Sequence, residues 1–156
     1  MGVEQDTYFI TDSAGFPLAY AGLMVATRDL AKVGLLMLNE GKNHKGEQIV
    51  SPDWIKQSIT PDHPRLLPGN NNPASEFKEG YKNQWWIPVD REQEEYSAIG
   101  IFGQSLYINP GRNTIIAANA AYPEYNEDIE HADSRRLKMF QAMARYIKDK
   151  DAVLNK

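Results

Sequence analysis

Glycines standing where a strand should carry side chains place the tightest constraint on this chain. The stretch Ala98-Ile99-Gly100-Ile101-Phe102-Gly103-Gln104-Ser105-Leu106-Tyr107-Ile108-Asn109-Pro110 is otherwise strand-like. Each Gly in a strand interior forfeits packing and order, so Gly100 and Gly103 point to a ligand or another backbone approaching closely. Gln104 to Ile108 alternates, Asn109-Pro110-Gly111-Arg112 turns, and Thr114-Ile115-Ile116-Ala117 returns. The unit predicts a glycine-marked strand edge followed by an antiparallel hairpin.

A chain of 156 residues can build one domain with a real core, and residues 1–156 are read as a single domain. A net charge of -4 and the lack of a local basic patch argue against a nucleic-acid partner. With no Cys, disulfides and thiol catalysis are excluded. No apolar run reaches membrane-span length, the N-terminus has no signal-peptide core, and Asp6 occupies the position where N-myristoylation needs Ser or Thr. No membrane partner is therefore expected.

Residues 1–21 read as irregular, with an apolar patch at Tyr8-Phe9-Ile10 and a turn at Asp12-Ser13-Ala14-Gly15. Thr27 is the expected N-cap of a helix, with Asp29 placed to favour its dipole. Leu30, Val33, Leu36 and Met37 continue it at helical spacing, Leu35 and Leu38 add apolar surface, and Gly41 is the expected stop. The pattern predicts a helix buried on most sides. Ser51-Pro52 opens a second short helix as N-cap and first residue. Residues 60–79 form a long loop carrying Pro61, Pro64, Pro68, Pro73 and Asn70-Asn71-Asn72. Strand resumes from Tyr81 to Val89. Tyr96 to Ile101, Gln104 to Asn109 and Asn113 to Asn119 then make an antiparallel meander. A last helix runs to about Asp149, acidic at its start and basic beyond, with Leu137, Phe140, Ala144 and Ile147 as a stripe for one sheet face; residues 150–156 are expected as a disordered tail. The fold class is α+β: an antiparallel sheet packed by a C-terminal helix.

Several short patterns mimic catalytic motifs. Ser75-Glu76-Phe77-Lys78 matches S-x-x-K, and Tyr81-Lys82-Asn83 matches Y-x-N. A working S-x-x-K sits at the start of a buried helix, whereas this one comes after a Pro/Asn loop and precedes Gly80, so it is a decoy. Gly103-Gln104-Ser105-Leu106-Tyr107 lacks the final Gly of a nucleophile elbow, which leaves Ser105 an ordinary strand residue. His44, His63 and His131 have no second ligand at metal spacing, so no metal and no cofactor is expected. Trp85 and Trp86 point to opposite faces of a strand; one belongs in the core, and the other either packs or lines a cleft. Tyr107 reads as sheet packing.

These segments together resemble the C-terminal part of the serine β-lactamase-like hydrolases. That superfamily includes class C β-lactamases, penicillin-binding peptidases, EstB-type esterases and 6-aminohexanoate-oligomer hydrolases. The resemblance is carried by residues 21–34, residues 46–54, Gly80-Tyr81 with Gln84-Trp85-Trp86, and the glycine-marked strand through Asn109-Pro110. These run in family order over most of the chain, and the likeness is greatest to the aminohexanoate-hydrolase and esterase branch.

The resemblance implies hydrolysis of an amide or ester through an acyl-serine intermediate. It also implies that the S-x-x-K and Y-x-N motifs lie upstream of what resembles Met1-Gly2-Val3-Glu4-Gln5-Asp6, so this chain alone is expected to be inactive. The family's K-T-G or H-T-G element aligns with Ala98-Ile99-Gly100, where only the Gly remains. One role carries over: the backbone N–H of Ile101 as half of an oxyanion hole, which needs no particular side chain. Gly100, Gly103, Gln104 and Trp86 are implied as substrate-binding residues lining the cleft. The implied partners are a small amide or ester substrate and either the missing N-terminal portion or a second copy. The rival reading is a non-catalytic binding or assembly module of the same fold.

Overall fold

The computed structural model describes residues 2–69, 72–75, 78–123 and 129–154, with side chains in the last helix described from 135 to 147. Two short strands, β1 (Tyr8–Phe9) within the segment expected to be irregular and β2 (Leu23–Met24) just after it, pair antiparallel near the N-terminus. Two helices come next, α1 (Thr27–Leu38) and α2 (Pro52–Ser58). They lead to five strands, β3 (Gly80–Lys82), β4 (Trp85–Ile87), β5 (Tyr96–Ile99), β6 (Ser105–Asn109) and β7 (Thr114–Ala118), and then α3 (Ile129–Leu154). The five strands form one antiparallel sheet in sequence order. The expected α+β meander is therefore what the chain builds.

Local chemistry decides the element ends. Ser51 caps α2, its Oγ accepting from the Trp54 N–H at 3.2 Å with Pro52 at the first position. The cap of α1 is Ala26 rather than Thr27, because the Thr27 Oγ1 instead accepts from the Asn119 amide at 2.7 Å. At the other end the stop falls as expected at Gly41, which has positive φ (84°), with the left-handed turn beginning one residue earlier. Glu40 takes that conformation (φ 52°), and the Glu40 and Gly41 N–H groups reach back to the Met37 and Leu36 carbonyls as in a Schellman motif. The single strand expected from Tyr81 to Val89 is a hairpin: Asn83 and Gln84 both have positive φ (47° and 73°), the two-residue turn that matches strand twist. Helix α3 continues to Leu154, five residues past the expected end, so the expected tail is helical from 150 to 154, and residues 155–156 lie outside the described residues.

The sheet has a core on each face. Met37, Ile55, Ile87, Tyr96, Leu106 and Ile108 pack with Leu30 and Val33 of α1 on one face, where Trp85 meets Tyr96 edge-on at 5.1 Å. Tyr107, Phe140 and Ala144 make the smaller core under α3. Each fully buried side chain of this size contributes about 1.5–3 kcal/mol over leaving it in water. Two expectations about these faces need correction. Leu35 is exposed on α1, and Ile147 is exposed on α3, so Leu137, Phe140 and Ala144 carry the packing.

A carboxylate fixes α3 to the sheet. Glu95, fully buried ahead of β5, accepts from the Tyr107 hydroxyl (2.5 Å), Asn109 Nδ2 (3.2 Å), Gln141 Nε2 (2.6 Å) and the Glu92 N–H (3.1 Å). Burial, reinforced by the adjoining carboxylate, pushes the Tyr107 hydroxyl well above the ordinary phenol range, so it remains a neutral donor. Truncating Glu95 leaves the buried Tyr107 hydroxyl without an acceptor and takes one acceptor each from Asn109 and Gln141. Glu95→Ala is expected to lower stability by about 3 kcal/mol or more, measured by urea unfolding; a loss under 1 kcal/mol would contradict the anchoring role.

A second carboxylate holds the N-terminal segment. Asp29 is buried, accepts from the Glu4 and Gln5 N–H groups at 2.9 and 3.0 Å, and pairs with Lys32 at 2.9 Å. The Lys32 ammonium, with these amides, holds the Asp29 carboxyl below its usual range. A depressed carboxyl contributes stability above its unfolded-state pKa and loses it as pH falls through the folded one. The Glu4 and Gln5 amides should therefore lose exchange protection on acidification below about pH 4, and in Asp29→Asn protection should be weak at every pH.

Candidate functional site

The link between β5 and β6 is a tight turn, Gly100-Ile101-Phe102-Gly103. Its four amides are accounted for one by one. The Gly100 N–H donates to the Gln104 carbonyl at 2.8 Å, the Phe102 N–H to Gln104 Oε1 at 3.2 Å, and the Gly103 N–H to the Gly100 carbonyl at 3.0 Å. The Ile101 N–H makes no hydrogen bond among the described residues, and Ile101 is 61% exposed at the tip beside exposed Phe102. Three amides are satisfied internally and one has no partner among the described residues.

The two glycines are required by close approach, as expected, but the visitors are the chain's own side chains. A Cβ on Gly100 would collide with the Gln104 side chain. Gly103 has φ +90°, and a Cβ there would stand 2.8 Å from the Tyr122 ring and 2.9 Å from Ala120 Cβ. Gln104 is thereby committed to the turn, since its Nε2 also donates to the Ala120 carbonyl at 3.4 Å.

Trp86 stands elsewhere on the sheet. It lies in a cross-strand row, Tyr81, Trp86, Ser97, Tyr107 and Ile116, on the α3 face, with its ring 4.7 Å from that of Tyr81. It is opposite Ser97, three residues or roughly 10 Å along β5 from Gly100. Strands β4 and β5 are in register at that one position, and β4 begins at Trp85. Beyond it, no described strand pairs with the β5 edge that leads to Ile101.

Two residues that sequence reasoning passed over complete the site. The Tyr122 N–H donates to the Phe102 carbonyl at 3.1 Å, and the Tyr122 hydroxyl accepts from the Arg136 guanidinium. Arg136 also donates to Ser105 Oγ at 2.8 Å, with its Cζ 5.4 Å from the centre of the Tyr122 ring. Ser105 is thus a buried strand residue and an acceptor. A signal for Tyr122 existed: extending the β6–β7 register by two residues puts Gly103 opposite Ala120. Nothing comparable marks Arg136.

The decoy motifs lie apart from the turn. Ser75 and Lys78 occupy loop and bend conformations, not a helix, while Glu76 and Phe77 are outside the described residues. His63 Nδ1 accepts from the Arg65 N–H at 3.2 Å, and the His131 side chain is also outside the described residues. Among the described residues no three His, Asp or Glu side chains gather as a metal site, and no helix is long and apolar enough to cross a membrane.

No protein-family model matches the chain. It is 32% identical over 125 residues to the 6-aminohexanoate-dimer hydrolase of Paenarthrobacter ureafaciens, an alignment covering 80% of this chain and 31% of that protein. A solved structure described as a 6-aminohexanoate-dimer hydrolase from Bacillus anthracis superimposes with a TM-score of 0.75 at 29% identity, covering 95% of this chain and 36% of that one. The chain thus spans about a third of the length of the relatives it matches. For the turn itself the expected outcome is uneven amide exchange: Ile101 fast, with Gly100, Phe102 and Gly103 protected, read by NMR. Protection of all four amides would contradict the open donor.

Proposed function

We propose that this chain, which belongs with the β-lactamase-like serine hydrolases, supplies one wall of an acyl-transfer site that cleaves an amide or ester. One observation carries the reading: the β5–β6 turn satisfies three amides internally and leaves the Ile101 N–H open at an uncovered strand edge. A free main-chain donor held on a rigid turn suits an oxygen that gains negative charge in the transition state.

In this reading a Ser hydroxyl from polypeptide outside these residues attacks the substrate carbonyl while a Lys–Tyr pair takes its proton. The carbonyl oxygen becomes an oxyanion that accepts from the Ile101 N–H and a second backbone donor beside the Ser. The bond to the amine or alcohol breaks, the leaving group takes the proton, and water hydrolyses the acyl-serine. Ala98 and Ile99 offer no cation ahead of Gly100, which favours a substrate without a carboxylate at that point. Gln104 and Gly103 shape the turn from behind, and Trp86 lies on β4, the strand that pairs with β5 three residues before Gly100.

A second reading, an assembly module, is favoured by the uncovered surfaces. The outer edge of β7 has no described partner strand, and Tyr8, Phe9, Phe16, Tyr20 and Met24 are all exposed. Either the remaining polypeptide of a hydrolase of the relatives' length or a second copy would cover them. Sedimentation would separate a 17.7 kDa monomer from a dimer.

The test of the primary reading uses a chromogenic ester and a fluorophosphonate label. This chain alone should show neither turnover nor labelling, whereas a polypeptide of the relatives' length that carries it should show both. In that polypeptide Ile101→Pro, which deletes the donor N–H, should lower kcat by about 10²–10³. Turnover by this chain alone that is abolished in Ser75→Ala would overturn the reading.

A further inference from the structure

We infer that Tyr122 and Arg136 are positioning residues that aim the Ile101 N–H, a role that rests on the acyl-transfer reading for its chemical purpose. The peptide unit is planar, and the Gly100 carbonyl and the Ile101 N–H belong to one trans plane and point in opposite directions. The Gly103 N–H, by donating to the Gly100 carbonyl, pins that plane with its oxygen turned into the loop and its N–H turned out. Whatever fixes Gly103 therefore fixes the direction of the Ile101 N–H.

Gly103 is held by the segment after β7. The Tyr122 ring and Ala120 Cβ close on the site of its absent Cβ, and the Tyr122 N–H donates to the Phe102 carbonyl, in the peptide unit that contains the Gly103 nitrogen. Tyr122 is half-exposed and lies on a segment without regular structure, so its ring needs an anchor of its own. Arg136 provides one from α3, bridging the Tyr122 hydroxyl to Ser105 Oγ at the start of β6 while its guanidinium lies over the ring. Arg rather than Lys suits this place, because a planar fork can serve two acceptors and a ring face together. The line of control runs from Arg136 through Tyr122 and Gly103 to the peptide plane of Ile101.

The variants are Tyr122→Ala, Tyr122→Phe, Arg136→Gln and Arg136→Lys, each read in two ways. In this chain, Tyr122→Ala and Arg136→Gln should speed amide exchange at Phe102 and Gly103 by about tenfold, with the amides of Leu106 and Ile108 and the thermal midpoint unmoved. Tyr122→Phe keeps the ring over Gly103, and Arg136→Lys keeps a cation, so both should fall between. Unchanged exchange at Gly103, or an equal rise throughout β6, would overturn the inference. In a polypeptide of the relatives' length, Tyr122→Ala should lower kcat by about tenfold with KM retained. A rise in KM alone, or an unchanged kcat beside faster exchange, would overturn the positioning role. No turnover by the unsubstituted polypeptide would instead overturn the acyl-transfer reading, leaving the exchange measurement to decide what Tyr122 and Arg136 hold.

Discussion

The hydrogen bond from the Gly103 N–H to the Gly100 carbonyl is the contact on which the site depends. It closes the β5–β6 turn and fixes the one peptide plane whose N–H faces out. Two residues without a Cβ make it possible. At Gly100 the missing atom admits the Gln104 side chain, which takes up the Phe102 amide; at Gly103 it admits the Tyr122 ring. A side chain at either place would push away the group that holds the turn.

The turn inherits its rigidity from both faces of the sheet. Strands β5 and β6 are paired over four residues and β6 and β7 over five, so the turn springs from the longest strand pairings of the sheet. Helix α3 is docked by Phe140 on Tyr107 and by Gln141 on the buried Glu95 carboxylate, and that docking places Arg136 beside Ser105. A buried acid far from the turn thus bears on it through a helix. Burying such a group requires several donors, and here four converge on it.

Periodic and capping signals made much of this fold legible in the sequence. The β6–β7 hairpin, the Ser51-Pro52 helix start and the Leu137, Phe140 and Ala144 stripe all announce themselves within a few residues. Signals that depend on a partner distant in sequence were not legible. Asn83 and Gln84 look like strand interior beside two tryptophans until their left-handed backbone is seen. No local pattern marks Glu95, because only the fold gathers Tyr107, Asn109 and Gln141 around it. The glycines mark close approach in the sequence, but their occupants are side chains rather than a ligand or backbone, and Tyr122 arrives only after β7 has returned.

Trapping a mimic of the oxyanion tests whether the Ile101 N–H donates to it. In a polypeptide of the relatives' length, a fluorophosphonate adduct on the nucleophile places a strongly polarised phosphoryl oxygen where the oxyanion would form. The Ile101 amide resonance should then move downfield and become protected, while the already paired Phe102 and Gly103 amides stay nearly still. An adduct that forms fully and leaves the Ile101 amide unmoved would contradict the account.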